Sequence, residues 1–156
     1  MNLKSLLLPF FFLVAVACGR ERGPQDVAEE FLAGYLDCRF SDVADLASPE
    51  MQETMRWRAS QLTQAEVDLL RGQAEGAQVT TDEMEASGDT CWVTVSATDA
   101  LIMDSIGQPG RLGEAQYRVR LQKEKGRNWI VTALISNLYS LFSIPQSSHP
   151  YFTSHS

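Results

Sequence analysis

The chain has 156 residues, and its 13 basic and 20 acidic side chains give it a formal net charge of −7 at pH 7. Such an acidic chain is not a general nucleic-acid binder, because binding to a phosphate backbone needs a cationic surface. The length suffices for one domain around one hydrophobic core, and we expect no nucleic-acid partner.

The start of the chain has the pattern of a signal peptide. Lys4 precedes an apolar run over residues 6–17, which is too short for a bilayer-spanning helix of about 20 residues. Residues 15–18 read AVAC, so small residues precede Cys18 at the point where a signal peptidase would cut. We expect residues 1–17 to be removed and residues 18–23 to form a short tether.

The same stretch resembles the lipobox of bacterial lipoproteins, in which a cysteine after a small residue is diacylated on its sulfur before cleavage. Cys18 would then be the lipidated first residue of an exported protein, anchored to a membrane of the cell envelope. Ala15 stands where the lipobox usually has Leu, and ordinary secretion with a cut at the same bond is the alternative. A buried structural cysteine is disfavoured, because the glycine and charged residues that follow cannot pack a core.

A first amphipathic helix is predicted from Pro24, a favoured first helical residue. Val27, Phe31 and Tyr35 recur at helical spacing, and Cys38 continues the same apolar stripe. This stripe is expected to face the core.

Two further helical segments follow. Ser48 precedes a proline, as an N-cap does, and Thr63 with Glu66 fits a capping box. Gly76 is the expected stop of the last helix.

The apolar period changes to two after Gly76, which indicates strands. Two strand-like runs are joined at residues 87–89, and Cys91 begins the apolar face of the second run. The sequence then predicts a hairpin with its turn at residues 125–127. Residues 137–156 form a tail that begins apolar and ends polar.

With these elements in place, the chain resembles the nuclear transport factor 2-like fold, also called cystatin-like, and in particular small bacterial lipoproteins of unknown function. The resemblance rests on PQDVAEEFLAGYLDCRFSDVADLAS, SGDTCWVTVSATD and YRVRLQKEKGRNWIVTAL, within residues 24–136. It implies an α+β domain in which an N-terminal helix and short helices pack on a curved, cone-like antiparallel sheet of about four strands. Such folds include enzymes, binding modules and adaptors, so the fold leaves the function open.

The three cysteines are Cys18, Cys38 and Cys91. If Cys18 carries lipid, two remain, and export places them in an oxidising compartment. In the implied fold the first helix crosses the strand of Cys91, so both sulfurs would point into one core. We expect a Cys38–Cys91 disulfide, and two separate buried thiols are the alternative.

No motif identifies a reaction. The only histidines are His149 and His155 in the tail, and there is no glycine-rich phosphate loop, Cys-x-x-Cys or metal-spaced His/Cys cluster. We therefore expect no catalytic residue, no cofactor and no metal.

The alternative is a small-molecule enzyme of the isomerase or dehydratase type that uses the cone pocket. Aromatic side chains would line that pocket, unless they simply fill the core. The candidates are Tyr35, Trp57, Tyr117 and Trp129.

Basic residues concentrate within residues 111–127, where Arg118 and Arg120 share a strand face. Trp92 joins that face if the strands pair in simple register. The face is either a solvated surface that discourages aggregation or a docking surface for an acidic partner or a second copy. We expect a non-catalytic binding or accessory lipoprotein, with a structural component of an envelope assembly as another alternative.

Overall fold

The computed structural model describes residues 21–103, 108–126 and 128–136. The predicted signal peptide, Cys18, Arg127 and the tail lie outside the described residues. Within the described ranges, no helix is long and apolar enough to cross a membrane. The elements in chain order are α1 Pro24–Leu36, α2 Phe40–Val43, a 3₁₀ turn Ala44–Leu46, α3 Pro49–Gln61, α4 Gln64–Arg71, β1 Gln78–Ser87, β2 Thr90–Ile102, β3 Arg111–Glu124 and β4 Asn128–Ser136.

The helix starts are those that the capping residues predict. The Ser48 hydroxyl accepts a hydrogen bond from the Met51 N–H at 3.3 Å at the start of α3. At the start of α4, Thr63 and Glu66 satisfy each other's backbone N–H groups, as a capping box requires. The predicted stop at Gly76 is wrong, because α4 already ends with Gly72 as its C-cap.

The four strands form one antiparallel sheet in the order β1-β2-β3-β4. Gly88 has a φ of 58° in the turn between β1 and β2, and Lys125 and Gly126 have φ values of 49° and 71° in the turn between β3 and β4. Positive φ values are typical of tight hairpin turns, and glycine adopts them without a steric penalty. The register shifts once in each strand pair, and such bulges bend the strands and increase their twist.

The core lies between the helices and one face of the sheet. Phe31 of α1 and Val93, Val119 and Val131 of the strands are all 0% exposed. The Glu29 carboxylate of α1 accepts the Thr81 N–H at 3.0 Å and the Thr81 hydroxyl at 2.6 Å, which ties α1 to β1. The α+β class is thereby confirmed: an N-terminal helix and short helices lie on a four-stranded antiparallel sheet, as the resemblance implies.

Cys38 and Cys91 are both free thiols, so the expected disulfide is wrong. The stripe of α1 was expected to include Cys38, but the helix ends at Leu36. Cys38 follows with a left-handed φ of 57° and is half-buried, whereas Cys91 is fully buried.

The two cysteines lie near opposite ends of β2. The turn of Cys38 lies beside Ala77, whose N–H donates to the Asp37 carboxylate at 2.7 Å. Ala77 immediately precedes β1, whose first residue pairs with Thr98. Thr98 and Cys91 are about 23 Å apart at the ordinary strand rise, whereas a disulfide needs Cα atoms within about 7 Å.

Candidate functional site

An inner cavity of about 130 Å³ is lined by residues of α1, α3 and the sheet. Tyr35, Arg58 and Tyr117 bring polar groups to it from three separate elements. The other described lining residues are Leu101, Ile102, Met103, Leu134 and Ser136. The cavity therefore combines apolar side chains with a guanidinium, two phenols and a serine hydroxyl as its polar groups.

Arg58 is held in place by its neighbours. Its guanidinium carbon lies 4.7 Å from the centroid of the Tyr35 ring, and its Nη2 donates to the Leu101 carbonyl at 3.1 Å. Its Nε is buried and has no hydrogen-bond partner among the described residues. A buried N–H without a partner is costly, and the charge of the Arg58 guanidinium would attract an acceptor oxygen in this cavity.

The Tyr117 phenol does not supply a base. Burial raises the pKa of Tyr117, with the nearby Arg58 guanidinium acting in the opposite direction. A protonated Tyr117 can donate a hydrogen bond but cannot accept a substrate proton. The described lining residues include no carboxylate and no histidine. This geometry binds an acceptor group more readily than it transfers a proton, and the enzyme alternative stays a prediction.

The four aromatic candidates for the pocket do not come together. Tyr35 and Tyr117 line the inner cavity, as expected. Trp57 is 62% exposed on α3 and lies outside it. Trp129 packs against the edge of the core, and the Lys123 ammonium lies 5.5 Å from its ring centroid. For these two tryptophans the pocket assignment is wrong, because helix and strand register direct both side chains elsewhere.

The opposite side of the sheet, which we call the outer face, brings the three predicted partner-binding residues together. Trp92 pairs with Arg120 across β2 and β3, and the Arg118 guanidinium carbon lies 4.9 Å from the Trp92 ring centroid. Arg118 also forms an ion pair with Glu85 at 3.3 Å. The outer face consists of Asp82, Glu83, Glu85, Trp92, Thr94, Ser96, Gln116, Arg118, Arg120, Ile130, Ala133 and Ile135.

The chemistry of the outer face changes from strand to strand. On β1, the Asp82 carboxylate accepts hydrogen bonds from Ser96 at 2.6 Å and from Gln116 at 3.1 Å. On β3, the Arg120 guanidinium forms no hydrogen bond or ion pair within the described part of the chain. On β4 the face is apolar and includes Ile135, which is 47% exposed. An acidic strand, a cationic strand and an apolar strand thus share one surface.

Ile135 was missed by the sequence interpretation because a bulge reverses the alternation in β4. Leu121 pairs with Val131, but Arg120 pairs with Ala133, so Thr132 is the extra residue. Beyond it Leu134 turns inward and Ile135 outward. Strict alternation from Val131 would have placed Ile135 on the inner face. The only sequence signal for it was the apolar character of the whole strand, which does not specify a face.

The two thiols in the described part of the chain are not activated. Burial raises the pKa of the Cys38 thiol, opposed by the Arg58 guanidinium, and burial also raises the pKa of Cys91. A nucleophilic cysteine needs a depressed pKa. Among the described residues, no group of histidine, cysteine and acidic side chains is arranged to hold a metal ion.

Comparison with known proteins finds one solved structure. No family model matches the chain, and no curated protein matches it. The structure, titled "Ntf2 like protein involved in plasmid conjugation", is similar to this chain with 15% sequence identity and a TM-score of 0.37. The match covers 83% of this chain and 49% of the other, so the chain spans about half the length of that structure. The α+β architecture described above rests on the strand order and helix positions.

Proposed function

We propose that the mature chain is an exported lipoprotein of a bacterial cell envelope, anchored by a lipid on Cys18. In this proposal it is a non-catalytic binding module whose protein partner docks on the outer face of the sheet. The observation that supports docking is the partly exposed row of Trp92, Arg118 and Arg120 beside the exposed Ile135, over which no described helix packs.

The outer face has the composition of a protein-binding surface. Arginine and aromatic residues are enriched at interfaces, where their stems and rings contribute contact area and their polar ends contribute direction. The stacked Trp92 and Arg118 are such a pair. The surface apolar residues on β4 extend it, and clustered exposed apolar area marks interaction sites.

The charge pattern selects the kind of partner. Arg120 has no ion pair within the described residues, while Arg118 is already paired with Glu85. A free cation beside an apolar strip fits a protein with an apolar patch flanked by carboxylates. A second copy is a poorer fit, because the chain as a whole is acidic and like charges oppose association.

The proposed anchor is supported by the signal-peptide pattern and by the residues between Cys18 and α1. A cut before Cys18 leaves the lipidated residue six positions ahead of Pro24, where α1 begins. The intervening residues are two glycines and three charged residues, a composition that suits a tether. One lipidated cysteine would therefore hold the domain near the membrane while leaving its faces accessible.

Site-specific photocrosslinking tests the docking surface in the full chain expressed in a bacterial envelope. A photoreactive residue at Ile135 should give one discrete adduct with another protein, identified by mass spectrometry. The matched control is Trp57, an exposed apolar residue on the helical side, which should give none. An adduct of two copies, an adduct from Trp57 alone, or no adduct from either position would contradict the proposed surface.

Intact mass spectrometry of membrane-extracted protein tests the anchor. We expect a chain that begins at Cys18 and carries added acyl mass, and Cys18→Ser should release the protein from the membrane fraction. An unmodified mature protein in the soluble fraction would contradict lipidation and leave plain secretion.

A further inference from the structure

A second cavity, of about 400 Å³, lies where the end of α1 meets α4. We propose that it is a binding site for a small amphipathic monoanion, such as an aryl or alkyl carboxylate, with its apolar part against α4 and its charge at Arg71. This site is separate from the outer face and does not depend on the proposed function. The lining residues are Asp37, Cys38, Arg39, Leu62, Val67, Leu70, Arg71, Gln73 and Gly76.

The apolar wall of this cavity does not belong to the protein core. Leu62, Val67 and Leu70 are half-buried, and none of them packs in the main hydrophobic cluster. Val67 and Leu70 are three residues apart on α4, so they lie on the same helix face. The capping box of Thr63 and Glu66 fixes the start of that helix. Apolar side chains that face a cavity gain by contact with an apolar ligand.

The rim supplies one available positive charge. Arg39 is already shared between Asp37 at 3.3 Å and Asp42 at 3.4 Å. Arg71 is exposed, and its guanidinium forms no hydrogen bond or ion pair with any residue of the described ranges. A ligand with a single negative charge would therefore pair with Arg71, and a dianion would lack a second free cation.

The opposite wall of the cavity is formed by Asp37, Cys38 and Gly76, and the space at position 76 is too small for a side chain. The Asp37 carboxylate accepts the Ala77 N–H at 2.7 Å and contacts Arg39. A Cβ at Gly76 would collide with that carboxylate. Cys38 takes a left-handed φ and lines the cavity with its half-buried side chain. The cavity is thus preformed, and its volume lies at the small end of the range of ligand pockets, roughly 300–1,000 Å³.

Titration of the full chain with naphthoate, an apolar ring system with one carboxylate, tests the proposal by calorimetry. Naphthamide, the uncharged counterpart, is the ligand control. We expect naphthoate to bind at one site, and Arg71→Gln to weaken it about tenfold, as the loss of a hydrogen bond between charged groups does. Arg56→Gln, which changes an exposed arginine of α3 outside the cavity, should leave the affinity unchanged.

Cys38 reports whether naphthoate occupies this cavity. Alkylation of Cys38, followed by peptide mass spectrometry, should slow when naphthoate is present, while Cys91 stays unmodified in the folded protein because it is fully buried. Binding without protection of Cys38, equal binding of naphthamide, an equal loss in Arg56→Gln, or no binding at all would overturn the proposal.

Discussion

The two faces of the sheet are built from the same strands but differ in how far their side chains are buried. Along β2, Val93 and Val95 are 0% exposed beneath the helices, while Trp92 and Thr94, which alternate with them, stay partly exposed. Alternate residues therefore pack in the core on one side and stay partly exposed on the other, where we propose that a partner binds. Substitutions on the inner side should change the free energy of unfolding, and those on the outer side should change binding.

The largest expected difference in the free energy of unfolding is between substitutions of Phe31 and of Ile135. Phe31→Ala removes a fully buried ring and should lower the free energy of unfolding by about 3–5 kcal/mol. Ile135→Ala removes a side chain that is already half in solvent and should cost less than about 1 kcal/mol. Urea unfolding monitored by circular dichroism measures both. Equal losses would mean that the two faces are not distinct.

A smaller difference in the free energy of unfolding is expected between substitutions of two carboxylates. Glu66 is buried, and it accepts hydrogen bonds from the Thr63 N–H at 2.7 Å and the Gly110 N–H at 2.8 Å. Glu66→Ala leaves these donors without their partner and should cost about 1–3 kcal/mol. Glu85→Ala on the outer face removes only an exposed ion pair with Arg118 and is the matched control. A Glu66→Ala protein as stable as Glu85→Ala would contradict the role of Glu66 as a link between α4 and the start of β3.

The same carboxylate makes stability depend on pH. The Thr63 N–H is the main cause that lowers the pKa of Glu66 below its ordinary value of 4.5. A group whose pKa is lowered by folding stabilises the protein above the unfolded value, and this stabilisation disappears as the pH falls through the folded value. We expect urea titrations to show a loss of stability below about pH 4.5 that is smaller in Glu66→Gln. An identical acid dependence in that variant would assign the loss to other groups.

The smallest effect is expected for the ion pair on the outer face. Arg118 and Glu85 are 3.3 Å apart with side chains 39% and 62% exposed, and such pairs contribute about 0–1 kcal/mol. A double-mutant cycle with Arg118→Ala and Glu85→Ala should give a coupling energy in that range, reduced by added salt. A coupling well above it would make this face part of the stabilising framework.

The sequence predicted the features that depend on local chemistry. Proline and capping residues marked the starts of α1, α3 and α4, and alternation marked the inner side of β2 and β3. The outer grouping of Trp92 with Arg118 and Arg120 followed from the same alternation, because β2 and β3 stay in register between residues 90 and 97.

The features that the sequence did not predict depend on strand register and on contacts between residues that are distant in sequence. The bulge at Thr132 turns Ile135 to the outer face, and no residue type in β4 indicates this bulge. Cys38 continued an apolar stripe, but the chain leaves the helix at Leu36 and takes a left-handed φ. Arg58 reaches the Leu101 carbonyl across the fold, a contact between residues 43 positions apart in sequence that no local pattern contains.

The most direct test of the account compares charge reversal on the two sides of the molecule. Arg120→Glu lies on the outer face and Arg56→Glu on α3, and both side chains are without ion pairs in the described ranges. With the crosslinker at Ile135, Arg120→Glu should lower the adduct yield about tenfold or more, while the free energy of unfolding changes by less than about 0.5 kcal/mol. Arg56→Glu should leave both quantities unchanged. An undiminished yield in Arg120→Glu, or the same loss in Arg56→Glu, would contradict the assignment of the outer face as the binding surface.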